Sequence, residues 1–488
     1  MSRKRKELPL YTALEITGVA AEGNAIARVD TPNGQMVVFI PYGAPGDIAD
    51  IKIDKKKKSF AQGHIASMIS PSAIRVTPQC RHFGVCGGCR WQHLPYTFQL
   101  QCKQKQVADA LTRIARVELP DVSPIIGSPS QWRYRNKMEY TFSNRSWLTF
   151  EQLNSGEEFH DRDAVGFHIP GAFDKVLDIH CCPLASELSD DIRNFLRDYA
   201  KQNSLTFYDL RANSGLLRTV MVRTLTTGQS MAVVVFGEDN PAAITGVMDA
   251  LRQRFPDITS LQYVVNLKVN DTIADQQIIL HSGMPYIVEQ MEDLHFRIGP
   301  KSFYQTNSEG AHRLYSVARE FAGLTGNELV YDLYTGTGTI ANFVARDARH
   351  VIGIEYVEDA IRDARINSTD NGIENTEFYA GDMKDILTDS FVAEHGRPDV
   401  IIVDPPRAGM HTDVVGVIMR ANPERIVYVS CNPATQARDV ALLDPAYRVV
   451  RIQPVDMFPH TQHVENVLLL DRRQSTGIDE PGCDSTEL

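Results

Sequence analysis

Cys431 stands at the end of a short apolar run, where a thiol could take part in chemistry. Residues 426–429 are apolar and mostly β-branched, and Asn432 and Pro433 follow the cysteine. Such a run predicts a buried strand that ends where the Asn-Pro pair breaks the chain. Reacting groups collect at strand ends in open α/β sheets. A buried, inert thiol is the alternative interpretation, but the position at a strand exit favours a nucleophile.

Three carboxylates occupy similar positions in the same third of the chain. Glu355, Asp382 and Asp404 each follow a short run that predicts a strand. A fourth predicted strand leads into a loop that contains Gly336 and Gly338 and precedes a predicted helix. A Gly-x-Gly loop in this place lets the backbone approach a nucleotide-like ligand closely.

The details of this loop favour one nucleotide-like cofactor over another. The dinucleotide-binding form needs a third glycine before the helix, and Asn342 stands near that place. Glu355 lies 23 residues beyond Asp332, where a carboxylate would accept both ribose hydroxyls. The combination favours S-adenosylmethionine over NAD.

A second group of thiols lies far upstream. Cys80, Cys86 and Cys89 have the spacing C-x5-C-x2-C, with glycines between them. Thiols at this density are typical of iron–sulfur or zinc sites, and the spacing does not separate the two. Cys182 is the best candidate for a fourth ligand, whereas Cys102 lies in a predicted helix. The chain has 8 cysteines, too few for a disulfide framework, which favours a reducing cytoplasm.

Positive charge is concentrated in one part of an acidic chain. The net charge is −11, yet residues 51–140 contain 15 Lys and Arg against 5 Asp and Glu. Such a segment favours RNA as a partner, and a solvated basic face is the alternative. Residues 131–140 interleave aromatic and basic side chains, which favours stacking on bases. An ordinary sheet edge with exposed cations explains the same pattern equally well.

The pattern of strands and helices predicts three regions. Residues 8–70 alternate short strands and turns, which predicts a small OB-like β-barrel with the lysines at 55–58 in a loop. Residues 71–300 predict a central α+β domain that contains the cysteine cluster. Residues 301–474 alternate strand and helix, which predicts an α/β domain with a doubly wound, mostly parallel sheet. We expect a disordered basic arm at 1–7 and a disordered tail at 475–488.

Membrane and secretory classes are disfavoured. No apolar run approaches the length of about 18 residues that a membrane helix needs. The charged start of the chain has no apolar segment behind it, unlike a secretory signal. We therefore expect a cytoplasmic monomer without a membrane partner.

Four motifs occur in the order found in one known family. They are DLYTGTG at 332–338, DPPRAG at 404–409, SCNPAT at 430–435 and PHTQHVE at 459–465. With them the chain resembles the RNA uracil carbon-5 methyltransferases over nearly its whole length. Residues 8–70 resemble the TRAM domain, an RNA-binding module. The resemblance is strongest to the ribosomal-RNA branch, which implies a class I S-adenosylmethionine-dependent methyltransferase that acts on a uridine of 23S rRNA and holds a [4Fe-4S] cluster, with zinc as the alternative metal.

The resemblance also implies residue roles. Cys431 would add to carbon-6 of the uracil, and Glu465 would remove the carbon-5 proton. The implied cofactor contacts are Gln305, Tyr334, Gly336, Gly338, Thr339, Glu355, Asp382 and Asp404. The implied cluster ligands are Cys80, Cys86, Cys89 and Cys182.

Three other functions are compatible with parts of this pattern. A tRNA uracil methyltransferase has the same motifs, because they do not encode the choice of RNA. A catalytically silent RNA-binding or assembly factor would need neither Cys431 nor Glu465. An amino-group methyltransferase could use the Asp-Pro-Pro motif but would need no cysteine nucleophile.

Overall fold

The computed structural model describes residues 8–32 and 34–474. The arm predicted at 1–7 and the tail predicted at 475–488 lie outside the described residues. Within the described part of the chain, no helix has the length and apolar character needed to span a bilayer.

The N-terminal region is a closed five-stranded barrel, as predicted. Its strands alternate buried and exposed residues, with Ile51 and Ile53 among those that fill the interior. The lysines at 55–58 are exposed where the fourth strand turns into the fifth. The barrel order is β1-β2-β3-β5-β4, with β1 Leu10–Val19, β2 Ala25–Thr31, β3 Gly34–Ile40, β4 Ile48–Lys56 and β5 Phe60–Ser70.

The barrel is docked on the segment that follows the three clustered cysteines. The Trp91 indole N–H donates to the carbonyl of Gly23, 3.0 Å away. A ring nitrogen of His93 lies 3.0 Å from the carbonyl of Gly43. Both contacts are buried, so the barrel has a defined place beside the cysteine-containing loop.

The central region forms a seven-stranded, mostly antiparallel sheet in the order β12-β11-β10-β9-β6-β7-β8. Helices α3 and α4 pack on it around a core that includes Leu196, Val234 and Val247. The strands are β6 Lys137–Ser143, β7 Ala164–Ile169, β8 Ala172–Asp178, β9 Leu217–Thr224, β10 Ser230–Phe236, β11 Ser260–Val265 and β12 Ile279–Gly283. The helices are α2 Phe150–Asn154, α3 Glu187–Gln202 and α4 Pro241–Arg254.

One helix that follows the three clustered cysteines in sequence packs on the C-terminal region. Helix α1, Tyr96–Ala110, continues into a π-helical turn, Leu111–Ala115. Val107 and Leu111 share a core cluster with Ile426 and Tyr428. A hairpin, β13 Ile287–Met291 and β14 Leu294–Ile298, and helix α5, Ser308–Ala322, connect the central sheet to the next one.

The C-terminal sheet has seven strands in the order β17-β16-β15-β18-β19-β21-β20, and its first five are parallel, as predicted for a doubly wound sheet. The strands are β15 Leu329–Leu333, β16 His350–Glu355, β17 Thr376–Ala380, β18 Val400–Val403, β19 Arg425–Ser430, β20 Tyr447–Val455 and β21 Glu465–Arg472. The helices are α6 Thr339–Ala345, α7 Glu358–Asp370, α8 Met383–Ile386, α9 Asp389–His395, α10 Thr412–Ala421 and α11 Pro433–Leu443.

This topology brings several strand termini to one edge. The order reverses at β15, which has β16 on one side and β18 on the other, and ligands bind in the crevice at such a point. Strand β21 runs antiparallel to β19. Its first residue, Glu465, therefore lies at the same edge as the last residues of the parallel strands.

Candidate active site

A cavity of about 1610 Å³ opens at this edge of the C-terminal sheet. Strand ends form one wall, and the loops that contain the clustered cysteines form another. The cavity brings together predicted catalytic residues, predicted cofactor contacts and predicted cluster ligands. These are Cys80, Cys86, Cys89, Cys182, Gln305, Tyr334, Gly336, Glu355, Asp382, Asp404, Cys431 and Glu465.

Strand register places Cys431 beside Glu465. Ser430, the last residue of β19, is paired with Asn466 in β21. Cys431 follows Ser430 and Glu465 precedes Asn466, so the two side chains lie at adjacent strand termini. The thiol is half-buried and free, and Glu465 is buried.

The turn after Cys431 is held by its polar neighbours. Asn432 caps helix α11, because its side-chain oxygen accepts the amide N–H of Ala434 at 3.1 Å. The Asn432 side-chain amide also donates to the carbonyl of Arg407, 2.9 Å away. The cap therefore fixes the exit of β19 and joins it to the loop that follows Asp404.

Burial and negative neighbours perturb the titrating groups at this end of the cavity. Burial, with the charges of Glu465 and Asp404, raises the pKa of Cys431 to about 11. Burial and then Asp404 raise the pKa of Glu465 to about 8. Withdrawal from water raises the pKa of Asp404 itself to about 7. The cation of Arg407 acts in the opposite direction and lowers the pKa of both Cys431 and Glu465.

The glycine loop after β15 is built around Glu355. The Gly336 amide N–H donates to one carboxylate oxygen of Glu355 at 3.2 Å, and the Val357 N–H donates to the other at 3.0 Å. Gly336 has a φ of 56°, and a Cβ added there would meet no atom within 4 Å. The loop therefore presents bare backbone and an oriented carboxylate to the cavity, which fits a ribose-containing ligand such as S-adenosylmethionine.

Two residues predicted as cofactor contacts lie behind this loop. A Cβ on Gly338 would come within 2.9 Å of the Ala364 Cβ and 3.1 Å of Phe378, so this glycine lets helix α7 pack closely. Thr339 begins helix α6 and is 8% exposed. Neither residue is part of the cavity wall formed by the described residues. Their predicted cofactor contacts therefore stay predictions.

Asp382 and Gln305 approach the cavity from separate loops. Asp382 caps the short helix α8 and accepts the Lys384 amide N–H at 3.2 Å, which holds the pKa of Asp382 below its usual value. Gln305 precedes helix α5, and its carbonyl accepts the Asn136 side-chain amide at 3.0 Å.

The four predicted cluster ligands come from two loops, and all four line the cavity. All four thiols are free and partly buried. Burial, together with the charges of the neighbouring thiols, raises the pKa of Cys86 to about 11 and that of Cys89 to about 12. Backbone N–H groups of Leu184 and Ala185 point at the Cys182 sulfur. Such donors stabilise thiolate ligands, so the donor set fits a metal-bound state.

The described residues contain no group of three or more His, Cys, Asp or Glu side chains arranged to hold one metal ion. A cluster of several irons holds its thiolates farther apart than a single zinc ion does. The metal that these four thiols are predicted to hold therefore stays a prediction.

Two basic residues near the site, Arg407 and Lys103, were not predicted from the sequence. Arg407 follows the paired prolines, and this place in the motif could have suggested its role beside Cys431. Lys103 in α1 is fully buried and forms a 2.6 Å ion pair with Asp456, which lies 353 residues later. Removing one partner of such a pair destabilises a protein by about 3–5 kcal/mol. Sequence alone contains no signal for so distant a pairing.

Two aromatic residues of the interleaved segment 131–140 make internal contacts. The ring of Trp132 stacks on His460 with centroids 3.8 Å apart. The Tyr134 hydroxyl donates to the carbonyl of Pro459 at 3.0 Å. Both aromatic side chains therefore bind the protein's own loops.

The chain matches two family models. Residues 261–473 match the family described as tRNA (uracil-5-)-methyltransferases. Residues 12–66 match the TRAM domain, in agreement with the closed barrel.

Similar proteins match over most of the chain. An uncharacterised RNA methyltransferase of Porphyromonas gingivalis is 59% identical over 466 residues, which cover 94% of this chain and 99% of that protein. A protein of the same description from Chlorobaculum tepidum is 38% identical over an alignment that covers 94% of this chain and 96% of that protein. Among solved structures, the Pyrococcus abyssi tRNA (uracil-54, C5)-methyltransferase in complex with S-adenosyl-L-homocysteine has a TM-score of 0.70 at 28% identity. That match covers 93% of this chain and 99% of the other.

Proposed function

We propose, since the chain belongs to the S-adenosylmethionine-dependent RNA uracil-5-methyltransferases, that it methylates a uridine of 23S rRNA through a covalent adduct with Cys431. The observation that supports this most is the pairing of β19 with β21. It sets a thiol beside a buried carboxyl group at the edge of a cavity that also contains Glu355 and Gly336.

The thiol solves the central difficulty of the reaction. Carbon-5 of uracil is a weak nucleophile, and a thiolate that adds to carbon-6 converts the base into an enolate whose carbon-5 is nucleophilic. The Cys431 thiol must first lose its proton, which passes to solvent water, and the thiolate then adds to carbon-6. Arg407 assists, because its cation lowers the pKa of Cys431 against the effect of burial.

When bound, S-adenosylmethionine supplies an electrophilic methyl group to carbon-5. Glu355 is oriented by two backbone N–H groups to accept ribose hydroxyls, and Tyr334, Asp382 and Gln305 surround the same space.

Glu465 completes the cycle. After methylation, carbon-5 holds both a methyl group and a proton, and the proton must leave before the bond between Cys431 and carbon-6 can break. Glu465 takes that proton, the electron pair restores the carbon-5–carbon-6 double bond, and the thiolate departs. The neutral, protonated carboxyl that results is the form that burial favours.

The target base must leave its stack to enter the cavity. The exposed lysines at 55–58 on the barrel supply positive charge for the RNA backbone. A tRNA substrate is the second candidate, because the Pyrococcus abyssi enzyme of similar structure acts on tRNA. The [4Fe-4S] cluster on Cys80, Cys86, Cys89 and Cys182 belongs to the same proposal, and it has no redox step to perform in this reaction.

The test uses RNA that contains 5-fluorouridine. Fluorine cannot leave as a proton, so the wild-type protein with S-adenosylmethionine should form an RNA–protein adduct that survives denaturation. Cys431→Ala should form none, because the nucleophile is absent. Cys102→Ala removes a thiol that lies outside the cavity and should form as much adduct as the wild type.

Fluorinated 23S rRNA and fluorinated tRNA are compared in the same assay. Adduct with rRNA alone supports the first candidate, and adduct with tRNA alone supports the second. No adduct with either RNA, or an undiminished adduct in Cys431→Ala, would refute covalent catalysis through this thiol.

A further inference from the structure

The loop that leads to Glu465 has many hydrogen bonds to distant parts of the chain. We call residues 456–464, between β20 and β21, the base loop. Four consecutive carbonyls of this loop each accept a hydrogen bond from a different distant residue. Met457 accepts from the Asn307 amide at 2.7 Å, Phe458 from the Lys103 ammonium at 2.9 Å, Pro459 from the Tyr134 hydroxyl at 3.0 Å, and His460 from the Arg90 and Trp91 N–H groups at 2.9 and 3.0 Å.

The conformation of the base loop depends on these contacts. His460 has a φ of 66°, a left-handed conformation that non-glycine residues adopt only where the surroundings hold them. Its backbone N–H donates to the Gln99 side-chain oxygen at 2.8 Å, and its ring stacks on Trp132. The contacts that hold the loop thus act on residues 457–460, five to eight residues before Glu465.

Tyr134 belongs to a short segment, residues 132–136, that precedes β6 and in which Arg133 has a φ of 55°. Trp132 and Tyr134 contact the base loop. Asn136 donates to the Gln305 carbonyl at 3.0 Å and to the Ser308 hydroxyl at 2.8 Å. This segment therefore contacts both the base loop and the loop that presents Gln305.

The other residues of the segment bind the loop that contains Cys182. The Arg133 amide N–H donates to the Pro183 carbonyl and the Arg135 N–H to the Leu184 carbonyl, each at 2.9 Å. The Arg133 guanidinium donates to the Ala185 carbonyl at 2.7 Å. The 132–136 segment is therefore held on both sides. A substitution of one of its side chains can displace one contacted loop without displacing the other.

We propose that Tyr134 and Asn136 are positioning residues for two different stages of the reaction, Tyr134 acting through Glu465 and Asn136 acting through Gln305. This inference rests on the proposed function. Glu465 acts only after the methyl group has been transferred, so an error in its position slows the release of the RNA. Gln305 faces the cofactor space, so an error there weakens cofactor binding before any transfer.

The test compares Tyr134→Phe with Asn136→Ala in the full-length protein. Tyr134→Phe keeps the buried ring and deletes only the hydroxyl that holds Pro459. With ordinary uridine RNA, we expect single-turnover methylation within about twofold of the wild type, a kcat lowered about tenfold, and a denaturation-resistant adduct that accumulates to several times the wild-type amount. A variant that is merely less stable would not shift the balance between adduct and product.

Asn136→Ala should give the opposite pattern. We expect KM for S-adenosylmethionine to rise about tenfold, with no accumulation of adduct, because the base loop keeps its contacts. Thermal unfolding of both variants, followed in parallel, separates these effects from a general loss of structure.

Two outcomes would overturn the proposal. One is an equal reduction of transfer and release in both variants, and the other is an unchanged ratio of adduct to product in Tyr134→Phe. The wild-type adduct with 5-fluorouridine RNA serves as the reference. If that adduct forms while the variants behave alike, the positioning roles fail and the proposed function stands; if it does not form, the proposed function fails first.

Discussion

Cys431 and the four clustered cysteines all line the cavity, but different kinds of structure hold them in place. Cys431 follows the last residue of β19, and the register of that strand with β21 determines its neighbour. The cysteine cluster lies on two loops, one with Cys80, Cys86 and Cys89 and the other with Cys182. A thiol at the end of a sheet strand keeps its place without a ligand, whereas loops that present several thiols are stabilised when a metal joins them.

The charges near Cys431 also differ from those near the clustered cysteines. Arg407 lowers the pKa of Cys431, although burial raises it overall to about 11. The neighbours that act on Cys86 and Cys89 include the other thiols of the cluster, which raise the pKa of both. A nucleophile needs its proton removed only for the reaction, and a nearby side-chain cation serves that purpose. Ligand thiols must stay deprotonated, which the charge of a bound metal achieves.

The largest effect that would sharpen this contrast is the loss of one cluster thiol. Cys89→Ser should lose bound iron, lose the visible absorbance of anaerobically purified protein, and unfold about 10 °C lower, because the metal no longer joins the two loops. Iron and sulfide analysis with a thermal scan measures all three. Cys181→Ser is the matched control, since Cys181 is exposed and outside the predicted ligand set. Iron retained by Cys89→Ser, or stoichiometric zinc in the wild type, would contradict the cluster.

A smaller effect is expected when the cation beside Cys431 is removed. Arg407→Gln should raise the pKa of Cys431, and a rise of about one unit lowers the thiolate fraction, and with it kcat/KM, about tenfold at neutral pH. Activity should rise with pH in both the wild type and Arg407→Gln, and the tenfold difference should persist to pH 9.5, because the pKa of Cys431 lies above that range. Arg407→Lys retains the charge and should lose less.

Steady-state methylation between pH 6.5 and 9.5 measures the effect of Arg407. Arg420→Gln removes an exposed arginine of helix α10 that pairs with Asp389, and it should behave as the wild type. An unchanged activity in Arg407→Gln, or an equal loss in Arg407→Lys and Arg407→Gln, would show that the charge of Arg407 does not act on the thiol.

The same division explains which features were predictable from sequence. Strand ends are encoded locally, by apolar runs that stop at Glu355, Asp404 and Cys431, so the doubly wound sheet and the cavity edge could be predicted. The glycine loop was predicted as a unit, but Gly336 and Gly338 have the same sequence signal and different surroundings. Only the packing of helix α7 against Gly338 distinguishes them.

Contacts between distant loops were not predictable. The alternation of aromatic and basic residues at 131–140 is equally compatible with an RNA surface and with internal contacts, because alternation fixes two faces but not what covers them. In the folded protein, Trp132 and Tyr134 both contact the base loop. Likewise, Lys103 is a cation on a helix in the sequence, and its pairing with Asp456 follows only from how α1 docks.

The smallest effect concerns Glu465, a titrating neighbour whose charge acts on Cys431, whereas the charges that act on Cys86 and Cys89 are those of other thiols. Burial raises the pKa of Glu465 to about 8. Below that pH the carboxyl group is protonated and cannot accept the carbon-5 proton, so the adduct should decay faster as the pH rises. The ionised fraction grows from about one tenth at pH 7 to about nine tenths at pH 9, which predicts a roughly ninefold increase in the decay rate. Quenched decay of adduct formed on ordinary uridine RNA measures it. Glu465→Gln should decay slowly at a rate independent of pH, and a wild-type rate that is equally flat would remove Glu465 from the role of base.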